Sequence, residues 1–393
     1  MPIKVGIGFS QNPDARVAAL EAAEQAKEQL RQPRIDLALL FSTIHYDPHQ
    51  FLPIAYEALD KTKLLGTSTA GIILPSQVAT RGIGILTITS DDIRFEIGHV
   101  NHLSLQDIRM AGKSLVKECI TDFGQKNRKI FLLLADGLIH NISTFIEGMQ
   151  EPLENGLPII GAGSSDDFRT KQTYQYFQKT WMNQGTVGCI MGGRLAVGFS
   201  CKHGWKPLGK PRTINQAQAN IIQSINGQKA SHIYQEFLGN ESKTLQTAAY
   251  GEIQARYPLG VHAEKPNQYI LRHVRQTSNE GHLICEDDIP SGPRVHMMMG
   301  NKDFCLQAAE EAALDVKQQL DGRKPQLVLV FESQLRYKML GRTAMKEAQV
   351  IRNILGPVPV FGMYSRNEIF SSRGDMKIST HIHNGSIIIL AVS

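Results

Sequence analysis

The sequence predicts an α/β protein made of three βαβαββ-like repeats, which form two domains with helix-covered, mainly parallel or mixed sheets. The first observation is that three five-residue segments are apolar at every position, as expected of strands buried on both faces. The second is that each segment follows a long amphipathic stretch of helical period and precedes a second helix. The apolar segments are LALLF at residues 37–41, IFLLL at 130–134 and LVLVF at 327–331.

The first repeat is expected over residues 1–92. After a short strand that ends at Phe9, Asn12-Pro13 predicts a helix start, because asparagine caps helices and proline suits the first helical position. The strand after the second helix ends in LGTSTAG at residues 65–71, which combines glycine with hydroxyl side chains. A last strand is entered through Gly82, and this order of elements recurs in the other two repeats.

The second repeat is expected over residues 93–205 and the third over residues 292–393. Residues 104–107 resemble a capping box and predict the start of the long helix of the second repeat. The loops at residues 160–166 and 361–368 correspond to LGTSTAG, since each follows an apolar strand and contains glycine and serine. Right-handed crossovers are expected to bring the strands of each repeat into one sheet with the helices outside.

Two contiguous repeats and one separate repeat predict an N-terminal domain over residues 1–205 and a C-terminal domain over residues 206–393. The segment between the second and third repeats, residues 206–291, is more polar and is interrupted by prolines. Within it we expect an amphipathic helical region over residues 214–225 and 230–238. We interpret the segment as the connection into the C-terminal domain together with the first strands of that domain.

Composition and charge restrict the class of protein. The net charge of +5 comes from 42 basic and 37 acidic residues that are scattered along the chain, so nucleic acid is not expected as a partner. The five cysteines are widely spaced and contain no Cys-x-x-Cys pair, which indicates a reducing compartment. Neither a signal peptide nor an apolar run of about 20 residues is visible, so we expect a cytoplasmic protein without membrane insertion.

Seven segments in a fixed order resemble the FIST family, with its N-terminal and C-terminal domains together. The resemblance covers nearly the whole chain, and it implies an intracellular sensory module that binds a small ligand and acts beside signalling proteins such as histidine kinases. One branch, the NosP-type proteins, binds haem and responds to nitric oxide. The segments are VGIGFSQNPDA at 5–15, LLFSTIHYD at 39–47, LLGTSTAG at 64–71, LLLADGL at 132–138, KHGWKPLG at 202–209, GMYSRNEI at 362–369 and HNGSIIIL at 383–390.

The sequence departs from the family pattern in three places. Ile72 stands where the first loop of the family usually continues with a glutamate. Residues 332–336 replace a cysteine- and glycine-rich turn in the third repeat. The family run His-Asn-Gln-Thr is here His383-Asn384-Gly385-Ser386, and this match makes His383 and Asn384 candidate ligand-binding residues.

The loops that follow the predicted strands carry further candidate ligand-binding residues. In parallel sheets, ligands tend to bind beyond the carboxyl ends of the strands, and hydroxyls on glycine-flanked turns can hold a small polar or anionic ligand. The alternative is that these side chains cap the next turn or helix. We expect the ligand to lie where the two domains face each other. The candidates are Ser68, Thr69, Ser164, Ser165, Asp166, Ser365 and Glu368.

Three histidines are candidate axial ligands for haem, since histidine is a side chain that coordinates haem iron. His45 and His140 follow the first and second apolar strands, and His203 lies in a Lys-His-Gly-Trp turn. Covalent attachment is excluded because Cys-x-x-Cys-His is absent, so the cofactor in question is haem b. The alternative is that these histidines are solvated, hydrogen-bonded or packed. His381 and His383 share one face of a predicted strand, but no third metal ligand is evident.

Three classes of function remain. The first is a small-ligand sensor, possessing no recognisable kinase, cyclase or DNA-binding segment, whose output passes to a separate histidine kinase or cyclase; a homodimer is compatible with this role. The second is an enzyme acting on a small polar substrate at the Ser/Asp-lined loops, although residues 66–71 miss the Gly-x-Ser-x-Gly motif by one position. The third is a ligand-free interaction scaffold that uses apolar surface such as Met297-Met298-Met299.

Overall fold

The first repeat has the predicted order of elements. The computed structural model describes residues 3–103, 107–121, 123, 127–139, 141–154, 156–246, 252–263, 268–289, 294–373 and 378–393. Helix α1 starts two residues after Pro13, because the side chain of Asp14 accepts hydrogen bonds from the backbone N–H groups of Arg16 and Val17. The elements are β1 (Lys4–Ser10), α1 (Ala15–Leu30), β2 (Leu37–Thr43), α2 (Pro48–Ala58), β3 (Leu64–Thr69), β4 (Gly71–Ile73), β5 (Val78–Ala79) and β6 (Ile83–Thr89).

The second repeat follows the same plan. The proposed capping box falls mostly on residues 104–106, which lie outside the described residues, but Asp107 caps the helix that begins at Ile108. Two additional short strands precede the last strand. The elements are β7 (Ile93–Val100), α3 (Ile108–Ile120), β8 (Arg128–Ala135), α4 (Ile142–Gln150), β9 (Ile159–Gly163), β10 (Gln175–Phe177), β11 (Thr180–Met182) and β12 (Thr186–Gly193).

The third repeat is interrupted by an inserted sheet. Its first strand, β13 (Val197–Lys202), pairs with its last strand, β25 (Ile387–Val392), as β1 pairs with β6 in the first repeat. The strand expected in that place, which contains Met297-Met298-Met299, forms but belongs to the inserted sheet. The remaining elements are α7 (Lys302–Gln319), β22 (Leu327–Ser333), α8 (Gln334–Leu340), α9 (Met345–Leu355), β23 (Val360–Arg373) and β24 (Ile378–His383), with a 3-10 turn at Gly341–Thr343.

The inserted sheet is antiparallel and corrects one prediction. Residues 214–225, expected to be helical, form part of two paired strands in which Ile214 faces Ile225. Their apolar spacing also fits a hairpin, which turns at residues 219–220 with φ +50° at Ala219. A second tight turn, at Asn226-Gly227 with positive φ at both residues, leads into the next strand. The helix expected over 230–238 forms as α5. The elements are β14 (Lys206–Gln218), β15 (Ile221–Ile225), β16 (Gln228–Lys229), α5 (His232–Leu238), a 3-10 helix (Gly239–Gln246), α6 (Glu252–Arg256), β17 (Leu259–His262), β18 (Tyr269–Arg272), β19 (Val274–Thr277), β20 (Leu283–Cys285) and β21 (Arg294–Met299).

Each repeat builds a four-strand sheet of one topology. The orders are β1-β6-β2-β3, β7-β12-β8-β9 and β13-β25-β22-β23. In each sheet only the last pair is parallel, and the other two pairs are antiparallel. The predicted α/β class with three related repeats is therefore confirmed, and of the two alternatives the sheets are mixed.

Glycines at one register show how closely the three parallel pairs correspond. In each pair a glycine on the second strand lies against a carbonyl oxygen of the first strand, at a distance that a Cβ atom could not occupy. A Cβ atom would lie 1.9 Å from the oxygen of Leu40 at Gly66, 1.8 Å from that of Leu133 at Gly161, and 2.3 Å from that of Val330 at Gly362.

The repeats exchange strands in a closed cycle. Strand β10 of the second repeat pairs with β3 of the first, and the second half of β23 in the third repeat pairs with β9 of the second. Strand β4 of the first repeat completes the cycle by pairing with the first half of β23. The apolar inner faces of all three sheets share one core, in which the rings of Phe41 and Phe361 stack at 4.9 Å. The helices cover the outer faces, and no described helix is long and apolar enough to cross a membrane.

Candidate functional site

The predicted serine-containing loops of the three repeats meet in the interior. Ser68 Oγ donates a hydrogen bond to the carbonyl oxygen of Ser165 at 3.0 Å, which joins the first repeat to the second. Ser165 Oγ and Thr69 Oγ1 both donate to the carbonyl oxygen of Tyr364, at 2.5 and 2.7 Å. These loops therefore meet at the junction of the repeats, and the role of their side chains in ligand binding remains a prediction.

The hydroxyls in this junction are used in holding the loops together. Ser164 Oγ accepts hydrogen bonds from the backbone N–H of Gly137 and from Gln175 Nε2. The carboxylate of Asp166 accepts from the backbone N–H groups of Thr170 and Lys171, at 3.0 and 2.8 Å. These side chains are buried, and their observed contacts are those of turn-stabilising groups.

Glu368 occupies a position that recurs in all three repeats. Its Oε2 accepts a hydrogen bond from the backbone N–H of Ser386 at 3.0 Å, and its Oε1 lies 3.2 Å from Ser365 Oγ. Gln175 makes the corresponding contacts in the second repeat, through Oε1 to the Gly185 N–H and through Nε2 to Ser164 Oγ. The equivalent residue of the first repeat is Ile72. The partner of each residue across the sheet directly follows the close-packed glycine of a parallel pair: Met363 for Ile72, Thr67 for Gln175 and Ala162 for Glu368.

The environment of Glu368 favours the neutral carboxylic acid. Complete burial raises the pKa of Glu368 well above its usual range, and the nearby acid Glu286 raises it further. A neutral amide makes the same two contacts at Gln175, so the geometry itself is compatible with an uncharged group. The sequence departure at Ile72 fits the same rule, since that side chain is also uncharged.

Asn384 connects the third repeat to the inserted sheet. Its Nδ2 donates to Asp287 Oδ2 at 2.7 Å, and the neighbouring Arg272 donates to the carbonyl oxygen of Ile382 at 3.1 Å. A second connection is the buried ion pair between Arg366 and Glu286, at 2.8 Å. Polar groups buried in this way are costly to separate, so the two parts of the molecule are held in a defined relation.

A cavity of about 500 Å³ lies where the inserted sheet meets the third repeat. It is lined by β14 and β18 of the inserted sheet and by β13, α7, β23 and β24 of the third repeat. Two of the predicted residues, His203 and His383, are in its wall, together with His381. The wall also includes the rings of Trp205, Tyr269, Phe304 and Phe370.

The two predicted histidines of the cavity differ in what they can offer a ligand. His203 Nδ1 accepts a hydrogen bond from the backbone N–H of Trp205 at 3.0 Å, so the neutral ring carries its proton on Nε2. No hydrogen bond of the His383 ring nitrogens is found among the described residues. Burial and neighbouring cationic groups lower the pKa of both rings to about 3, so both are neutral at pH 7.

Trp205 fixes the floor of the cavity. Its Nε1 donates to the carbonyl oxygen of Ala255 at 3.1 Å, and the residue is almost completely buried. A Cβ atom on Gly300 would lie 2.3 Å from that same nitrogen. Gly385 has φ +77° and sits against His273 and Trp205. The segments KHGWKPLG and HNGSIIIL, which lie far apart in sequence, therefore meet around this indole.

Residues 332–336 form the end of β22 and the start of α8, and they support the cavity wall. Arg336 is completely buried, pairs with Glu332 and Glu347, and donates to the carbonyl oxygens of His203 at 2.7 Å and Cys305 at 2.9 Å. Burial, together with the adjacent acid Glu347, raises the pKa of Glu332 well above its usual range. The segment 332–336, where the sequence departs from the family pattern, thus carries a buried charge cluster in contact with the cavity wall.

The other two haem candidates lie elsewhere. His45 is exposed, and its Nδ1 is 3.3 Å from Thr43 Oγ1 in the turn before α2. His140 lies outside the described residues. Among the residues that the structure describes, no group of three or more His, Cys, Asp or Glu side chains is placed to hold a metal ion. The pair His381 and His383 therefore has no third metal ligand among those residues.

A second cavity, of about 370 Å³, lies at the carboxyl end of β8. Asp136 is in its wall, and its carboxylate accepts hydrogen bonds from Thr173 Oγ1 and from the backbone N–H groups of Leu138 and Gln184. Burial raises the pKa of this carboxyl. The carboxylate is thus held in one orientation, with three donors already directed at it.

Comparison with known families decides the affiliation of the chain. The family model of the FIST N domain matches residues 36–228, and that of the FIST C domain matches residues 230–371. The chain belongs to the FIST family. FIST domains are sensory domains that bind small ligands in signalling proteins.

The FIST relatives include proteins of mycobacteria. An uncharacterized protein of Mycobacterium bovis is 22% identical and is matched over 93% of this chain and 94% of its own length. An uncharacterized protein of Mycobacterium tuberculosis is 23% identical over the same shares. A cyanuric acid hydrolase of known structure aligns with 100% of this chain and 98% of its own, at 8% identity and a TM-score of 0.39.

The sequence identified His203 and His383 as candidate site residues of this FIST protein, but it did not predict that they share one cavity. It also did not predict the aromatic residues of the cavity wall. Phe304 lies on α7 and Tyr269 on β18, in segments that the sequence presents as an amphipathic helix and a polar strand. The available signal was the position of the KHGW and HNGS segments, each of which ends or begins a strand next to a glycine turn.

Proposed function

We propose that this FIST protein is a sensory protein that binds a small ligand in the cavity between the inserted sheet and the third repeat. The observation that carries the proposal is the cavity itself, whose volume of about 500 Å³ lies in the range of small-molecule sites. Its wall combines aromatic rings with the neutral imidazoles of His203 and His383. Apolar walls with a few directed polar groups are the usual composition of such sites.

Contacts between the cavity wall and other parts of the molecule support a signalling role for the site. Ser386 and His383 line the cavity, and Ser386 donates its backbone N–H to Glu368 in the junction of the repeats. Asn384, between them in sequence, is bonded to the inserted sheet through Asp287. We propose that the protein acts in the cytoplasm and passes its signal to a separate histidine kinase or cyclase; a homodimer remains a prediction.

A thermal-shift screen of the full chain tests the proposal. The panel contains amino acids and small carboxylates, and it compares the natural protein with His383→Ala and with His45→Ala as the matched control. We expect at least one compound to raise the Tm of the natural protein and of His45→Ala, with a smaller rise in His383→Ala because that ring borders the cavity. A panel in which His383→Ala responds fully would count against this site.

Haem is the second candidate ligand, and the histidine geometry narrows how it would be held. A histidine coordinates iron through the lone pair of an unprotonated ring nitrogen. His203 Nδ1 accepts a hydrogen bond, so its Nε2 carries the proton and has no lone pair for iron. His383 borders the cavity, and its ring nitrogens are without a hydrogen bond among the described residues, so one of them can offer its lone pair. Of the residues in the cavity, His383 is therefore the one that fits an axial ligand, and Lys202 and Lys206 are cations that could pair with the propionates.

An absorption spectrum tests the haem candidate. The protein would be purified with haem supplied and measured in ferric, ferrous and nitric-oxide-treated forms. A sharp Soret band that shifts with nitric oxide and is altered in His383→Ala, but not in His45→Ala, is the expected result for haem in this cavity. A spectrum without a Soret band after reconstitution would exclude haem as the ligand. The thermal-shift screen would then be the test of the small-ligand proposal.

A further inference from the structure

Four aromatic side chains from four different parts of the chain line the candidate cavity. Trp205 precedes β14, Tyr269 lies on β18, Phe304 on α7 and Phe370 on β23. Aromatic rings favour stacked or edge-to-face contact with another ring, and each such contact adds to the gain from burial. The concentration of rings around one space favours a planar aromatic ligand over a flexible aliphatic one.

Lysines outnumber acidic residues in the wall of the same space, with Lys202 and Lys206 against Glu311. Lys206 Nζ lies 5.8 Å from the ring centroid of Phe304, and among the described residues it makes no ion pair. Lys202 is paired with Asp315 at 2.8 Å, and Arg336, which donates to the carbonyl oxygen of His203, is paired with Glu332 and Glu347. The acidic residue of the wall, Glu311, accepts a hydrogen bond from Gln307.

The causes of the lowered pKa of His203 include the same cations. After burial, the effects that lower its pKa come from Arg336, Lys206 and Lys202, all of them cations. A negative group placed in this space would gain from that potential, and it would gain most beside Lys206, whose charge has no carboxylate partner among the described residues.

We propose that the ligand of this cavity is a small planar aromatic molecule that carries a carboxylate. Its ring packs against the aromatic wall that includes Phe304, and its carboxylate lies within reach of Lys206. His383 supplies a further hydrogen bond through its ring nitrogen. The proposal rests on the proposed ligand-binding function and specifies the chemical class of the ligand.

Isothermal titration of the full chain with three matched probes tests the class. The probes are 2-naphthoate, its uncharged analogue 2-naphthalenemethanol, and the non-aromatic cyclohexanecarboxylate. We expect 2-naphthoate to bind at least tenfold more tightly than either of the others, because it alone combines a planar ring with a negative charge. Equal binding of the alcohol would overturn the carboxylate requirement, and equal binding of cyclohexanecarboxylate would overturn the aromatic one.

Two lysines of the same strand provide the matched variants. Lys206 borders the cavity, whereas Lys210 is exposed on β14 and is not part of the wall. Lys206→Ala should weaken 2-naphthoate binding about fivefold or more and leave the alcohol unchanged, while Lys210→Ala should leave both unchanged. Equal losses in the two variants would indicate a general charge effect and overturn the assignment of Lys206.

The outcomes separate this inference from the proposed function. If none of the three probes binds while a panel compound raises the Tm in a His383-dependent manner, the aromatic carboxylate class is wrong and the ligand site stands. If no compound of the panel raises the Tm, haem gives no Soret band and the probes do not bind, the proposed function fails together with this inference.

Discussion

Single residues in the junction show how one fold accepts different side chains at equivalent places. Ile72, Gln175 and Glu368 hold the same position in three repeats, as an apolar group, an amide and a carboxyl. The two polar members make the same pair of hydrogen bonds. Since nothing at this position in the other repeats carries charge, we infer that Glu368 is held as a protonated acid in the folded protein.

The pH dependence of a Glu368→Gln variant tests this inference. Burial raises the pKa of Glu368 above the ordinary 4.5. Stability from this group is therefore fully present below pH 4.5 and is lost as pH rises toward the folded-state pKa, by about 1.4 kcal/mol per pH unit. In urea unfolding, the free energy of unfolding of Glu368→Gln should increase relative to that of the natural protein between pH 4 and pH 7.

The reciprocal variant Gln175→Glu is the control. It places a carboxyl in the equivalent position and should lose stability relative to the natural protein, more at pH 7 than at pH 4. A difference between Glu368→Gln and the natural protein that stays constant with pH would mean that the carboxyl is already ionised in the folded state.

At the scale of elements, the parallel strand pairs are built on glycine. Gly66, Gly161 and Gly362 let the second strand of each pair approach the first where a side chain would meet a carbonyl oxygen. The sequence showed these glycines as loop signals, and their packing role could not be seen because it depends on a neighbouring strand that is distant in sequence.

Gly161→Ala should destabilise the second repeat strongly. Its Cβ atom would lie 1.8 Å from the carbonyl oxygen of Leu133, so the two strands would have to separate. We expect a loss on the order of 3 kcal/mol in the free energy of unfolding, measured in urea. Gly156→Ala is the matched control, since its nearest atom would be 3.7 Å away; equal losses in both variants would show that close packing at Gly161 is unimportant.

The buried cluster of Arg336 with Glu332 and Glu347 joins β22 and α8 to α9. Removing one member of a buried ion pair leaves an uncompensated charge, so Arg336→Met should cost about 3–5 kcal/mol in unfolding experiments. The triple variant Glu332→Gln, Arg336→Met, Glu347→Gln should recover most of that loss, because no buried charge is left alone. A change below about 1 kcal/mol in Arg336→Met would contradict this role of the cluster.

At the scale of the whole molecule, the repeats were visible in the sequence but their assembly was not. Buried apolar strands such as 37–41 and 327–331 and the helices before them are local patterns, and they gave the number and order of elements. The pairing of β10 with β3 and of β13 with β25 joins residues far apart in the chain, and no local pattern encodes it. The division into domains at residue 205 remains a prediction.

The same distinction of local and distant information applies to the site. His203 and His383 were identified from short segments, whereas their meeting around Trp205 depends on the inserted sheet between β13 and α7. The hairpin at residues 214–225 was misread as helix because its apolar spacing suits both structures. The aromatic residues of the cavity wall could not be predicted from any local pattern, because they come from separate elements.

A blocked cavity gives the most direct test of the proposed ligand site. Gln307 and Glu310 are both exposed on α7, but only Gln307 borders the cavity, so Gln307→Trp fills it and Glu310→Trp is the matched control. The measurement is the rise in Tm produced by the compound panel and by 2-naphthoate. We predict that Gln307→Trp abolishes the rise while Glu310→Trp retains it. An undiminished rise in Gln307→Trp would contradict the placement of the ligand in this cavity.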